Sequence, residues 1–159
     1  MTTTENNSSD NELILKLLAQ IQQIQLAILV NRPGPLRLAG FDLSGANLPY
    51  VDLKNADLRE AKLNGACLYQ ADLRNADLSD AVLQFSDLRR VNLGGADLSY
   101  ADLRNADLRG AVMTYANLTK ANMKDARLDE VNLTDAIMKG TIFPDGSTKG
   151  TAPLGRPMF

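Results

Sequence analysis

An apolar residue returns at every fifth position of this chain from Leu38 to Phe143, with no slip in phase. Two positions before each stands a small residue, most often Ala, as at Ala46, Ala56, Ala61 and Ala66. The residue between them is most often Asp or Asn. The local word is A-D-L-R-N, complete at 71–75 and again at 101–105. A period of five suits neither regular element. On a helix, five steps of about 100° leave each Leu about 140° from the last, and no stripe forms. On a flat strand, five steps put successive Leu residues on opposite faces. The conflict disappears if the chain turns a corner in every unit. Ala and Leu, two apart, then point to one side of a short strand, and the other residues make the turn. The pattern predicts a coil with Ala and Leu inside and polar residues outside. Its turns stack by strand-like hydrogen bonds about 4.8 Å apart.

The number of units per coil rests on a column of larger residues. Val51, Val91 and Val131 take the small position at intervals of 40, a multiple of 20 but not of 15. Four units per coil place them in one column, alternating with Ala71 and Ala111, and large–small alternation packs well. The word small–Asp/Asn–Leu–polar–polar, carried over about 108 residues, resembles the pentapeptide repeat family. The resemblance implies an all-β solenoid, a right-handed quadrilateral β-helix of about 22 pentapeptide repeats, four per coil. Such a rod is about 25 Å long at that stacking distance. Phe41, Ser86 and Thr141 depart from the word at the Ala position. Met113, Met123, Met138 and Phe143 depart at the Leu position. The departures thicken toward the ends, as terminal repeats should.

The flanks divide the chain further. Residues 1–9 are polar and apolar-poor, and are expected to be disordered. Ser9 and Glu12 have capping-box spacing, and 10–31 is predicted as an N-terminal α-helix. Leu13, Ile14, Leu17, Leu18, Ile21, Ile24 and Ile28 form its apolar face. This helix is expected to lid the open end of the coil or to carry oligomerisation, and Phe41, Leu36 and Leu38 are its expected contacts. Its apolar perimeter is wide enough to meet a second surface as well: a second copy, a partner or a membrane surface. Lys16 and the Gln residues argue against a transmembrane span. The Pro-Gly stretch 32–35 acts as a hinge, 36–143 is the repeat, and 144–159 is a tail opening on the turn signal Pro144-Asp145-Gly146.

Composition removes most chemistry. There is no His and a single Cys, so no His-based site, intramolecular disulfide or Cys-cluster metal site can form. Cys67 falls at an Asp/Asn position and should face outward as an ordinary surface residue. No secretory leader pattern opens the chain, which reads as cytoplasmic. The many Asp residues belong to the repeat, where Asp and Asn tie down nearby backbone N–H groups. Phosphate-binding Gly loops are absent. No catalytic, metal or cofactor site is expected, and the chain does not read as an enzyme.

The outward positions say more. Asp52/Lys54, Asp57/Arg59, Asp72/Arg74, Asp87/Arg89, Asp102/Arg104 and Asp107/Arg109 should neutralise each other. Two patches are expected to escape. One is an acidic column of Asp57, Asp77 and Asp97, with Glu60 and Asp80 at its corner. The other is a corner of Tyr50, Tyr69, Arg89, Arg90 and Arg109, with Phe85 across the same face. Four units per coil put the patches on opposite faces. Tyr, Phe and Arg are enriched at interface hot spots, although lone aromatics on a solenoid also simply stack on neighbouring strands. The expected function is therefore a non-catalytic protein-interaction or scaffold module with an unidentified protein partner, itself a homodimer. The alternative comes from the resemblance, since some family members mimic duplex DNA and inhibit or protect the type II topoisomerase gyrase. The repeat here holds 15 acidic against 13 basic residues, too even a balance for a duplex mimic, and no basic stripe suits direct nucleic-acid binding.

Overall fold

Each pentapeptide closes a turn on itself. The N–H at the Ala position donates to the carbonyl of the Leu three residues before it, as from Ala61 to Leu58 and from Ala76 to Leu73, both at 3.1 Å. The last residue of each word is left-handed, with φ of 57° at Glu60, 58° at Asp80 and 68° at Gly95. One left-handed residue in the second central position is the φ signature of a type II turn. It recurs at every fifth residue from Gly40 to Gly140. The computed structural model describes residues 34–148, all within one compact unit, Gly34–Phe159. The predicted helix over 10–31, its apolar face and most of the tail lie outside the described residues.

The turns stack with a register of twenty. The middle residue of each word bridges in parallel to the residue twenty further on: Asp57 to Asp77, Lys62 to Val82, Cys67 to Asp87, Asp72 to Asn92. Four such ladders make four sides. The first carries Asp57, Asp77 and Asp97, the second Lys62 and Asp102, the third Cys67, Asp87 and Asp107, and the fourth Asp72 and Asn92. Each corner is named here for the side it follows. Hydrogen bonds run both ways between coils: Leu58 N to Asp77 O at 2.7 Å, Glu60 N to Ser79 O at 2.9 Å, and Asp77 N back to Ala56 O at 2.9 Å. The expected short strands do not form among the described residues. Every bridge is isolated, because the turn takes two residues of each five and only the centre of the remaining three faces its neighbours squarely.

Leu and Ala fill the shaft, as the pattern predicts. Leu58, Leu78, Leu98, Ala61 and Ala81 have no exposed surface. Substitutes at the small position are accommodated in two ways. Ser86 Oγ donates to Leu83 O at 2.7 Å and Thr141 Oγ1 to Leu118 O at 2.6 Å, so neither buried hydroxyl is left without a partner. The closing bond is also longer at four of these positions, 3.2 Å at Val91 and 3.3 Å at Val131, Ser86 and Thr141, against 3.1 Å at Ala61. Phe41 does not enter the shaft and stands 49 % exposed. Leu128, Val131 and Met138 of the last coil are half-buried. Pro144-Asp145-Gly146 does turn the chain, with Gly146 N donating to Phe143 O at 2.8 Å.

Asp and Asn of the word do the local work expected of them. Oδ1 of Asp52, Asp77, Asp97 and Asn117 accepts the N–H two residues on, at 2.8–3.1 Å. Where that residue is Arg, its side chain folds back as well.

Candidate partner site at the arginine corner

Because the interior takes Leu and Ala and the ladder takes the residue between, the two residues after Leu make each corner. On the third corner they form two columns twenty residues apart. One reads Tyr69, Arg89, Arg109, Asp129 and the other Tyr50, Gln70, Arg90, Gly110, Glu130. The Tyr50 and Tyr69 rings meet edge to face at 5.7 Å between centroids and 84°. The Arg89 guanidinium lies 5.4 Å from the Tyr69 centroid, within cation–π reach. Beyond this stack opens a cleft of about 480 Å³ with Tyr69, Arg89, Arg90 and Arg109 on its walls.

Three more features shape the cleft. Arg127 of the third side, Asp129 and Glu130 line it as well. Gly110 makes the notch: a Cβ there would sit 3.3 Å from Arg90 Cγ, and φ is +68°. None of these four was singled out from the sequence. Writing the chain in rows of twenty would have found Gly110, Asp129 and Glu130, which continue the columns of Arg90 and Arg89. Phe85, expected on the same face, stands on the second corner and is not part of the cleft lining. It is 66 % exposed and left-handed at φ 58°.

Two of the arginines are held by their own aspartates. Arg89 Nε and Nη2 donate to Asp87 Oδ1 and Oδ2, each at 2.7 Å. Arg109 makes the same fork to Asp107 at 2.8 and 2.6 Å, and Arg127 approaches Asp107 at 3.8 Å. The forks hold the Asp87 and Asp107 carboxyls below the usual carboxylate range and push both guanidiniums up. Among the described residues Arg90 forms no ion pair. The arrangement offers guanidinium donors beside an aromatic wall, which suits a carboxylate or another planar anion.

The acidic column on the opposite side departs from expectation. Asp57 is forked by Arg59 at 2.8 and 2.7 Å, and Arg59 Nε lies 3.8 Å from Asp77 Oδ2. One Arg thus straddles two of the three column carboxylates, because i+1 of one coil lies beside the ladder residue of the next. Asp97 Oδ1 accepts from Asn117 Nδ2 at 3.1 Å. Glu60 and Asp80 stand at the first corner without an ion pair among the described residues. Lys54 likewise prefers the next coil, lying 3.2 Å from Asp72 and 3.6 Å from Asp52. Cys67 is half-buried, its Sγ 4.0 Å from Asp87 Oδ2.

The family model for pentapeptide repeats matches residues 37–75, 76–114 and 111–144. Among solved structures, the chain is similar to the pentapeptide repeat protein Rfr23 of the cyanobacterium Cyanothece 51142. Identity is 30 %, over 67 % of this chain and 90 % of that one, with a TM-score of 0.56. It is also similar to HetL of Nostoc sp. strain PCC 7120, a pentapeptide repeat protein involved in heterocyst differentiation regulation. There identity is 30 %, over 70 % of this chain and 80 % of that one, and the TM-score is 0.28. A pentapeptide repeat protein of the Arabidopsis thaliana thylakoid lumen shares 35 % identity over 72 % of this chain and 69 % of its own, with a TM-score of 0.31. No curated protein matches the chain.

Proposed function

We propose that this chain, which belongs to the pentapeptide repeat family, acts as a non-catalytic protein-interaction module whose partner meets the third corner. The observation that carries this reading is the continuous stack of Tyr50, Tyr69 and Arg89 opening into an arginine-lined cleft. An aromatic beside an arginine can be desolvated with it, and such residues dominate interface energetics. Phe85 serves as an outlying contact on the neighbouring corner. A bare carboxylate offers only screened attraction at physiological salt, and the forks on Asp57, Asp72, Asp87, Asp102 and Asp107 weigh against duplex mimicry.

The test is capture of a partner from native extract by the full chain. Phe85→Ala with Arg89→Ala should weaken capture tenfold or more, about 1.4 kcal/mol, and leave the fold intact. Asp77→Asn with Asp97→Asn should leave capture unchanged. If the second pair abolishes capture and the first does not, recognition lies on the acidic side and gyrase-type mimicry becomes the better reading.

Self-association is part of the same proposal. The half-buried Leu128, Val131 and Met138 of the last described coil, and the apolar spacing of Leu13, Leu17, Ile21, Ile24 and Ile28 in the sequence, support a homodimer, the commonest closed symmetry. Sedimentation of the full chain should give a dimer in the micromolar range. Comparison with a chain beginning at Arg32 separates the two surfaces, and monomers in both cases would sink the idea.

A further inference from the structure

We propose that the third-corner cleft is a carboxylate-binding site that takes a protein segment of mixed charge, with one Asp or Glu side chain seated on Arg90 beside Gly110. The inference rests on the interaction-module reading and names the chemistry of the partner. Three observations carry it.

The first is the state of the donors. Arg89 and Arg109 give Nε and Nη2 to Asp87 and Asp107. Each guanidinium is thereby fixed in orientation while its Nη1 donors stay free. Arg90, next to Arg89 on the adjoining column, has no ion-pair partner among the described residues. Two arginines are thus preorganised by their own aspartates and a third is left to bind. Bidentate capture of a carboxylate is the geometry a guanidinium favours.

The second is the notch. In this column Gln70 and Glu130 carry side chains, whereas Gly110 carries none, and the Arg90 stem lies against it, its Cγ 3.3 Å from where a Cβ would stand. Tyr69, with the Arg89 guanidinium over its ring, closes one end of the cleft.

The third is the charge around the site. Four arginines line the cleft, Asp129 and Glu130 line it too, and Asp87 and Asp107 hold two of the arginines from outside it. The whole chain carries −2. A dense polyphosphate gains affinity from uncompensated positive charge, and here the local sum is even. A single carboxylate from a protein of mixed surface charge can meet Arg90 while neighbouring donors of that protein satisfy Asp129 and Glu130.

The probe is an end-blocked, fluorescently labelled nonapeptide with two glutamates, compared with the same peptide carrying glutamines. Binding to the full chain is followed by anisotropy and by amide shifts of Arg90 and Gly110. The glutamate peptide should bind at least tenfold more tightly than the glutamine peptide and move both amides. Arg90→Gln, which keeps the stem and removes the charge, should weaken it tenfold or more. Gly110→Asn should do the same by pressing the Arg90 stem aside, and the backbone tolerates it because Asn55, Asn75 and Asn105 occupy equivalent left-handed corners. Arg104→Ala, on the second corner, should change nothing. Equal binding of both peptides, or equal damage from Arg104→Ala, would overturn the proposal. So would displacement of the peptide by a short DNA duplex at matched charge concentration, which would make this a polyphosphate site. Should the peptide fail while Phe85→Ala with Arg89→Ala still abolishes partner capture, only the carboxylate chemistry is wrong. Should capture survive those changes, the third corner is not where the partner meets the chain, and this proposal falls with that placement.

Discussion

Tyr115 is 68 % exposed and holds φ at 58°. A bulky side chain in the left-handed region costs about 1–2 kcal/mol, and little packing offsets it here. Tyr115→Gly should therefore raise stability by about 1 kcal/mol, read as a higher midpoint in thermal or urea unfolding. A lower midpoint would mean that the exposed ring packs better than its accessibility indicates. The aspartates make a second residue-scale prediction. Arg74 forks Asp72, and with help from Lys54 holds its carboxyl down to about 2. Asp57, Asp87, Asp102 and Asp107 are lowered in the same direction, chiefly by their own arginines. A carboxyl depressed in the folded state stabilises above its unfolded value, about 3.9, and loses that contribution as pH falls through the folded value. With no His in the chain, melting temperature should stay flat from pH 8 to 5 and fall between about pH 4 and 2. Asp72→Asn should make the fall shallower. A decline already present between pH 7 and 5 would contradict the fork picture. The A-D-L-R-N word makes the Asp–Arg fork readable in the sequence. The choice of Lys54 for Asp72 and the straddling of Asp57 and Asp77 by Arg59 were not readable, since they depend on side-chain reach between coils.

At the scale of the element, the unit is a turn carrying one inward Leu and one inward Ala. The five-residue spacing of Leu made the turn legible, since no straight element tolerates that period. Register was legible only through Val51, Val91 and Val131, because Ala and Leu recur identically on all four sides. Strand content was overread: three residues per side suffice for hydrogen bonding but leave only isolated bridges. Leu78→Asp or Leu98→Asp places a carboxylate among fully buried Leu layers. The cost is several kcal/mol, so circular dichroism should show a much lower melting temperature or no folded coil. An unchanged midpoint would mean that these side chains are not inside. Gly95→Ala is subtler. Its Cβ would come 2.5 Å from Asn75 Oδ1, in a left-handed residue, so it should cost more than Gly45→Ala, whose corner is open. Equal midpoints for the two variants would mean that Asn75 simply swings aside.

For the whole coil, each turn touches only its neighbours, so stability is a sum of nearest-neighbour interfaces. Among the described residues, middle coils have two such interfaces and the last has one. Leu78 and Leu98 donate to the next coil at 2.7 Å, while Leu133 and Met138 have no backbone acceptor among the described residues. Amide hydrogen exchange should be slowest at the centre and quickest in the last coil. Uniform protection would indicate that the last coil is covered by something else. The candidate site belongs to this scale, which is why the sequence showed it only in part. Tyr69, Arg89 and Arg109 lie 20 apart and become neighbours through stacking alone, and the notch at Gly110 is a missing side chain that no local word announces.

The twenty-residue register has a consequence for how such a chain can change by insertion and deletion. Removing Val91–Gly95 keeps every later Leu and Ala inward, yet carries all that follows back by a quarter turn. Arg109 then lies on a different corner from Arg89, and the cleft is gone from an undamaged shaft. Removing 91–110 instead shortens the coil by one spacing, about 4.8 Å, and brings Asp129 beside Arg89 in the same column. In this architecture a five-residue deletion is a rotation and a twenty-residue deletion is a translation. Binding surfaces can therefore be reshuffled in whole-unit steps, with the interior left unaltered.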